Sequence, residues 1–184
     1  IFNGYDKNLM RTCPYSSIPN YLDKYSYPDD FINEAEVTHI WTQNKNESTK
    51  IANTTYIKHV LSDYRDMIGE VDGVLLARDD YENHLSLSKE FLEVGIPIYI
   101  DKALAISIDV ANQFFEKESY DGQIFTGSAL AYDPTLDKIK KEMKNLGNLK
   151  YIFGTAPGKW DKYSIHLIDP VLHLFNDNFI INKY

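Results

Sequence analysis

The chain has 184 residues, 43% of them hydrophobic, with 27 acidic and 19 basic side chains and a formal net charge of −8. That length can bury the core of one domain, or of one and part of another, and the negative balance argues against a nucleic-acid partner, which needs a basic face to neutralise phosphates. A single cysteine, Cys13, excludes an intrachain disulfide framework and fits a reducing compartment, and no run approaches the roughly 20 apolar residues of a transmembrane helix.

Ile1-Phe2-Asn3-Gly4 has neither a basic n-region nor an initiating methionine. The expectation is a cytoplasmic protein and a sequence that forms an internal portion of a longer chain. Asn3–Asp6 reads as a turn, and Pro14, Pro19 and Pro28 break residues 1–35 into irregular loop around a short helix at Ser17–Lys24. Val37–Thr42 is β-branched and aromatic, a strand. Glu47–Thr55 reads as a helix with Ile51 and Ala52 inward, Tyr56–Val60 as a short strand and Asp63–Ile68 as a short helix.

Residues 71–105 then read as strand, helix, strand. Val71–Ala77 is an almost wholly apolar run, as in a strand buried on both faces of a parallel sheet. Arg78–Asn83 is a polar break. From His84 to Val94 apolar residues return at helical spacing, and Gly95 ends the helix. Ile96–Ile100 is a second strand with Asp101-Lys102 at its carboxyl end. Ligands of such sheets lie beyond the carboxyl ends of the strands, so the 78–83 loop and Asp101-Lys102 open on one functional edge.

Ser107 can cap a helix at Ile108–Lys117, with Val110, Ala111, Phe114 and Phe115 inward. Gln123–Gly127 is a strand that Ser128–Tyr132 continues or leaves. Thr135–Lys144 is an amphipathic helix whose lysines form a solvated face. Leu149–Thr155 reads as a strand, Trp160–Phe175 as partly helical, and Phe179–Ile181 as a strand. Strands alternating with helices mean an α/β fold with a mainly parallel sheet.

Two stretches carry a resemblance. The first is Asp72-Gly73-Val74-Leu75-Leu76-Ala77, then His84, Gly95 and Asp101-Lys102-Ala103-Leu104-Ala105. The second is Lys162-Tyr163-Ser164-Ile165-His166-Leu167-Ile168-Asp169, with an acid three residues after a histidine. Together they resemble the glucose-fructose oxidoreductase / inositol dehydrogenase (Gfo/Idh/MocA) family. The resemblance implies a Rossmann domain over residues 1–131 that binds NAD or NADP. It also implies the start, over 132–184, of an α/β substrate and dimerisation domain with an open, mostly antiparallel sheet. A sugar, cyclitol or nucleotide-sugar substrate is implied between them, in a chain that can form a homo-oligomer.

Carried over residue by residue, Lys102 binds the reacting hydroxyl at the nicotinamide end and His166 is the acid/base. Trp160, Lys162, Tyr163 and Asp169 lie on the substrate side; Thr42, Gln43, Arg78, Asp79, His84 and Asp101 lie on the cofactor side. The chemistry agrees: oxidising a secondary alcohol removes a proton that an imidazole can take near neutral pH, while an ammonium steadies the developing alkoxide.

The chain departs from the family in five respects. Ala103 stands where the family usually has a proline, often in a cis bond, so the loop there is expected to differ. Lys162 stands where an acid is common and, at i,i+4 from His166, can face an anionic substrate. Pro170 removes a helix hydrogen bond near His166, unless Asp169-Pro170 begins the helix. No G-x-G-x-x-G occurs, and Thr42 or Gln43 holds the place of the ribose-binding acid, with Lys45 nearby.

Plainer readings stand beside these. Lys102 can be a surface lysine, His166 a half-buried core histidine, Trp160 a core residue and His84 a helix-start packing residue. His173, seven residues after His166, is too far along a helix to share one metal with it. Two other classes stay open: a non-catalytic Rossmann-like domain binding a small molecule or partner, and a metal-dependent enzyme using Asp79, Asp80 and His84.

Overall fold

The computed structural model describes residues 3–26, 28–143, 145 and 147–175. The chain divides into two compact units, residues 1–72 and 73–184.

In the first unit Asp6 starts helix α1 (Lys7–Met10), its carboxylate accepting from the Asn8 and Leu9 amides. Helix α2 spans Ser17–Leu22. Strands β1 (His39–Ile40) and β2 (His59–Val60) run parallel, with His39 beside His59 and Ile40 beside Val60. Helix α3 (Lys45–Thr55) connects them, and Asn44 Oδ1 caps it by accepting from the Asn46 and Glu47 amides. Its buried face is Ser48, Ala52 and Thr54. Ile51, expected inward, is exposed: it lies about 100° around the helix from Ala52, off the i,i+4 row of Ser48 and Ala52 that packs. At Asp63–Ile68 a 3-10 turn, Tyr64–Met67, forms behind the Asp63 cap.

The second unit holds three parallel strands in the order β3 (Val74–Leu76), β4 (Ile98–Ile100), β5 (Ile124–Thr126). Helix α4 (His84–Glu93) joins β3 to β4, and Gly95 at φ +79° ends it in the left-handed region. Helix α5 (Ile108–Phe115) joins β4 to β5, capped by Ser107. Phe91, Leu92, Ile98, Ile100 and Phe114 form the core. The buried Gln123 amide donates to the carbonyls of Leu92 and Ile96, both at 3.0 Å, and its Oε1 accepts from the Ser119 amide at 2.7 Å. It fastens the end of α4 to the start of β5.

Two burial expectations fail here. Leu75 and Phe125 are each 51% exposed, so β3 is not covered on both faces. Val74, Leu76 and the β4 isoleucines alternate with them, and period-2 alternation puts these two on the opposite face of the sheet. Phe115 also points outward while its neighbour Phe114 is fully buried.

After β5 the chain turns through a 3-10 segment, Ala129–Tyr132, into helix α6 (Pro134–Met143). Residues 149–155, expected as a strand, form no regular element. Tyr151 and Phe153 stand exposed there; aromatic composition favours a strand only where a ladder partner and a covered face exist. Helices α7 (Trp160–Tyr163) and α8 (Ile165–Phe175) follow, with Pro170 inside α8 rather than at its start. The alternative that began the helix at Asp169-Pro170 is therefore wrong, and His166 is helical. Helix α8 packs on the 129–132 turn and on α6. The strand expected at Phe179–Ile181 lies outside the described residues. All three strand pairings described are parallel, and the antiparallel sheet expected of a second domain is not among them. No helix among the described residues is long and apolar enough to cross a membrane.

Candidate functional site

The last register row of the three-stranded sheet aligns Leu76, Ile100 and Thr126. Two residues beyond it on each strand stand Arg78, Lys102 and Ser128. Parallel pairing thus delivers a guanidinium, an ammonium and a hydroxyl to one carboxyl edge.

Arg78 forks onto Asp80, its Nε donating to Oδ1 at 2.6 Å and a terminal nitrogen pairing with Oδ2. Asn83 Nδ2 also donates to Asp80 Oδ2, at 2.6 Å. The guanidinium, and then the amide, hold the Asp80 carboxyl well below the usual carboxylate range, and Asp80 in turn raises Arg78. This pair shapes the 78–83 loop. His84, fully buried, closes it from behind: its Nε2 lies 2.9 Å from the Arg78 carbonyl. A carbonyl can only accept, so Nε2 donates to it, while Nδ1 is buried without a hydrogen-bond partner.

On β4, Lys102 Nζ donates to Asp101 Oδ2 at 3.0 Å, with both side chains 26% exposed. The Tyr99 hydroxyl reaches Asp101 Oδ1 at 3.5 Å; burial, then the Asp101 charge, pushes the phenol above its ordinary value. The Lys102–Ala103 peptide is cis.

On β5, Gly127 and Ser128 make the turn toward the 129–132 segment. The Ser128 amide donates to Asp169 Oδ2 at 2.6 Å, and Ser128 Oγ lies 2.7 Å from His166 Nδ1. Gly127 sits at φ +136°, and a Cβ there would fall 2.6 Å from the same Asp169 oxygen. A side chain there would be strained and would push the carboxylate from its place. His166 and Asp169 are thus anchored to β5, the strand beside the one carrying Lys102. Tyr163 lies against His166, ring centres 6.1 Å apart.

Lys162 faces Asp79 rather than an open position beside His166, Nζ donating to Asp79 Oδ2 at 3.3 Å. That carboxylate raises the Lys162 ammonium. Trp160 is 69% exposed, which removes the reading of it as a core residue. Asp79, Asp80 and His84 do not assemble as a metal group: one pairs with Lys162, one with Arg78, and the third binds a carbonyl. Thr42 and Gln43 belong to the first unit. The Thr42 hydroxyl is used locally, donating to the Asn44 carbonyl at 2.8 Å and meeting Ser48 Oγ at 2.9 Å, while Gln43 is exposed. Lys45 Nζ there donates to Ser62 Oγ at 3.3 Å.

Sequence reasoning missed Ser128 and the Asp79–Lys162 pair. A glycine-serine step closing an apolar run was the one usable sign, since it marks a strand that ends in a turn.

The edge gathers parallel strand ends, the paired cations Arg78 and Lys102, and the Ser128 hydroxyl. It offers no glycine-rich pyrophosphate cradle, because these 184 residues contain none. A family model described as an oxidoreductase family with an NAD-binding Rossmann fold matches residues 19–127. No curated protein matches significantly. Among solved structures, a probable dehydrogenase from Thermotoga maritima aligns with TM-score 0.49 and 14% identity, over 59% of this chain and 33% of that one. Myo-inositol 2-dehydrogenase from Lactobacillus plantarum aligns with TM-score 0.49 and 13% identity, over 64% and 34%. The chain spans about a third of either structure. The family match covers more than half of the chain, including the whole strand-helix-strand unit of the first resemblance stretch. The chain belongs to the Gfo/Idh/MocA oxidoreductase family, with an NAD-binding Rossmann fold whose cofactor is NAD or NADP.

Proposed function

We propose that this chain serves an NAD(P)-dependent dehydrogenase that moves hydride to or from a secondary hydroxyl of a sugar, cyclitol or nucleotide-sugar. Residues 1–131 serve the cofactor and 132–184 begin the substrate side. One observation supports it above the rest: Lys102 leaves β4 at the same row at which Ser128, bonded to His166, leaves β5. A bound nicotinamide supplies the hydride acceptor or donor. Lys102, oriented by Asp101, donates to the reacting oxygen and steadies its developing charge. In the oxidative direction the carbon loses hydride and the hydroxyl loses its proton to His166, leaving a carbonyl; the reverse direction returns both. Arg78 and the loop it holds border the cofactor side. Thr42 or Gln43 holds the sequence position of a ribose-binding acid, with Lys45 nearby, so NADP is a candidate as well as NAD.

The test is turnover of the full-length protein with a panel of sugars, cyclitols and nucleotide-sugars, with NAD and NADP in parallel. Lys102→Ala and His166→Ala each lower kcat/KM by about 10²–10³. Normal turnover in both variants discards the mechanism. Calorimetry with both dinucleotides separates this reading from a non-catalytic binding domain: no dinucleotide binding would favour the latter.

A further inference from the structure

We infer that this carboxyl edge selects a neutral polyol, a free sugar or cyclitol, against its anionic counterparts, and that Asp79 sets this choice by occupying Lys162, an inference that rests on the substrate site proposed above. Three cations reach the edge, and each is already held by a carboxylate of the chain. Arg78 forks onto Asp80, Lys102 Nζ donates to Asp101 at 3.0 Å, and Lys162 Nζ donates to Asp79 at 3.3 Å. A further carboxylate, Asp169, accepts from the Ser128 amide, which carries no charge. Glu82 and Asp161 stand beside Tyr81, where desolvation and then these two charges raise the phenol. Six acids thus gather against three cations, and the edge stays negative even with protons on both nitrogens of His166.

The three pairs differ in how readily they open. Arg78 and Asp80 are two positions apart, and Lys102 and Asp101 are adjacent. The chain itself therefore keeps each of these carboxylates on its cation at high effective concentration. An incoming carboxylate or phosphate must displace a tethered one, and the remaining acids repel it. Lys162 is different. It comes from α7, 83 positions from Asp79, and its side chain is 38% exposed against 20% for Arg78 and 26% for Lys102. It is the cation of the three most open to a substrate anion, one helical turn before His166. Asp79 closes that opening, because an ammonium held by a carboxylate offers no net positive charge. A neutral hydroxyl meets no such repulsion. It can donate to the carboxylates and accept from the ammonium groups while the pairs stay in place. Selection by charge has a signature that selection by shape lacks: salt screens it.

The test takes the full-length protein with its dinucleotide and pairs each neutral sugar or cyclitol with its uronate or phosphate ester. At low salt kcat/KM for the neutral member exceeds that of its anionic partner by about tenfold or more, and added sodium chloride narrows the gap. Asp79→Asn frees Lys162 and raises the anionic-to-neutral ratio by about tenfold. Adding Lys162→Ala to that variant returns the ratio to the wild-type value. The ratio cancels any loss of cofactor binding or of folded protein, since both substrates share it. A wild type that prefers the anionic member overturns the inference, and so does a gap indifferent to salt or a ratio unmoved in Asp79→Asn. Calorimetry with the same pairs ranks them without chemistry. Neutral ligands that bind ahead of their anionic partners but are not turned over defeat the dehydrogenase reading and leave the charge selection standing. Failure of every neutral member to bind overturns the inference itself.

Discussion

The two parallel sheets finish their carboxyl edges in different ways. Beyond β1 and β2 the ties stay among the ends of the two strands and the segments that flank them. Asn44 caps the helix beginning one residue later, Thr42 bonds Asn44 and Ser48, and Trp41 Nε1 reaches the Ser62 carbonyl at 3.3 Å while its ring meets Tyr64 edge-on. Beyond β3, β4 and β5, local pairs such as Arg78–Asp80 and Lys102–Asp101 are joined by ties from far along the chain: Lys162 to Asp79, His166 to Ser128, Asp169 to the Ser128 amide. A locally tied edge forms with its own strands. A remotely tied edge forms only when α7 and α8 have docked, so its geometry depends on a segment that the strands themselves do not specify.

That contrast can be broken at single positions. The largest effect is expected from Gly127→Ala, which forces a side chain into φ +136° and onto the Asp169 oxygen. It should cost about 3 kcal/mol in urea unfolding; a loss under about 1 kcal/mol would mean that the carboxylate shifts aside freely. Asp169→Ala follows, at about 2 kcal/mol, because it leaves the buried Ser128 amide without an acceptor. At the local edge Asn44→Ala removes one helix cap and should cost about 1 kcal/mol.

The smallest effect concerns acid. Asp80 is held below its ordinary range when folded. Its pairing therefore contributes fully above the unfolded carboxylate value, near pH ~4, and is lost as pH falls through the lower folded value. Asp80→Asn should cost at most about 1 kcal/mol at neutral pH, since the pair is partly exposed and screened. The difference from wild type should shrink as the pH drops below ~4. A difference that grows in acid would contradict the pairing.

Much of the fold was legible because its signals are local. The periodicity of 84–94, the stop at Gly95, the Ser107 cap and the apolar runs of β3, β4 and β5 each fall within a dozen residues. What periodicity cannot supply is the partner. It marked Leu75, Ile51 and Phe115 as apolar and in phase, and all three face outward. At 149–155 it offered a strand with nothing beside it. The candidate site divides in the same way. Lys102 was readable from its place after an apolar run. Ser128 was not, because its meaning lies in a histidine 38 positions away.

The Asp169–Ser128 bond also makes the Ser128 amide a clock. Its N–H is buried and has one acceptor, carried by α8 and not by a neighbouring strand. Exchange of that proton with solvent then requires α8 to lift from β5, whereas amides inside the β3–β4–β5 ladder wait for the sheet itself to open. The ratio of the two exchange rates measures how often the histidine leaves its place while the strands stay paired. A ligand that bridges Lys102 and His166 would slow the first rate and leave the second almost unchanged.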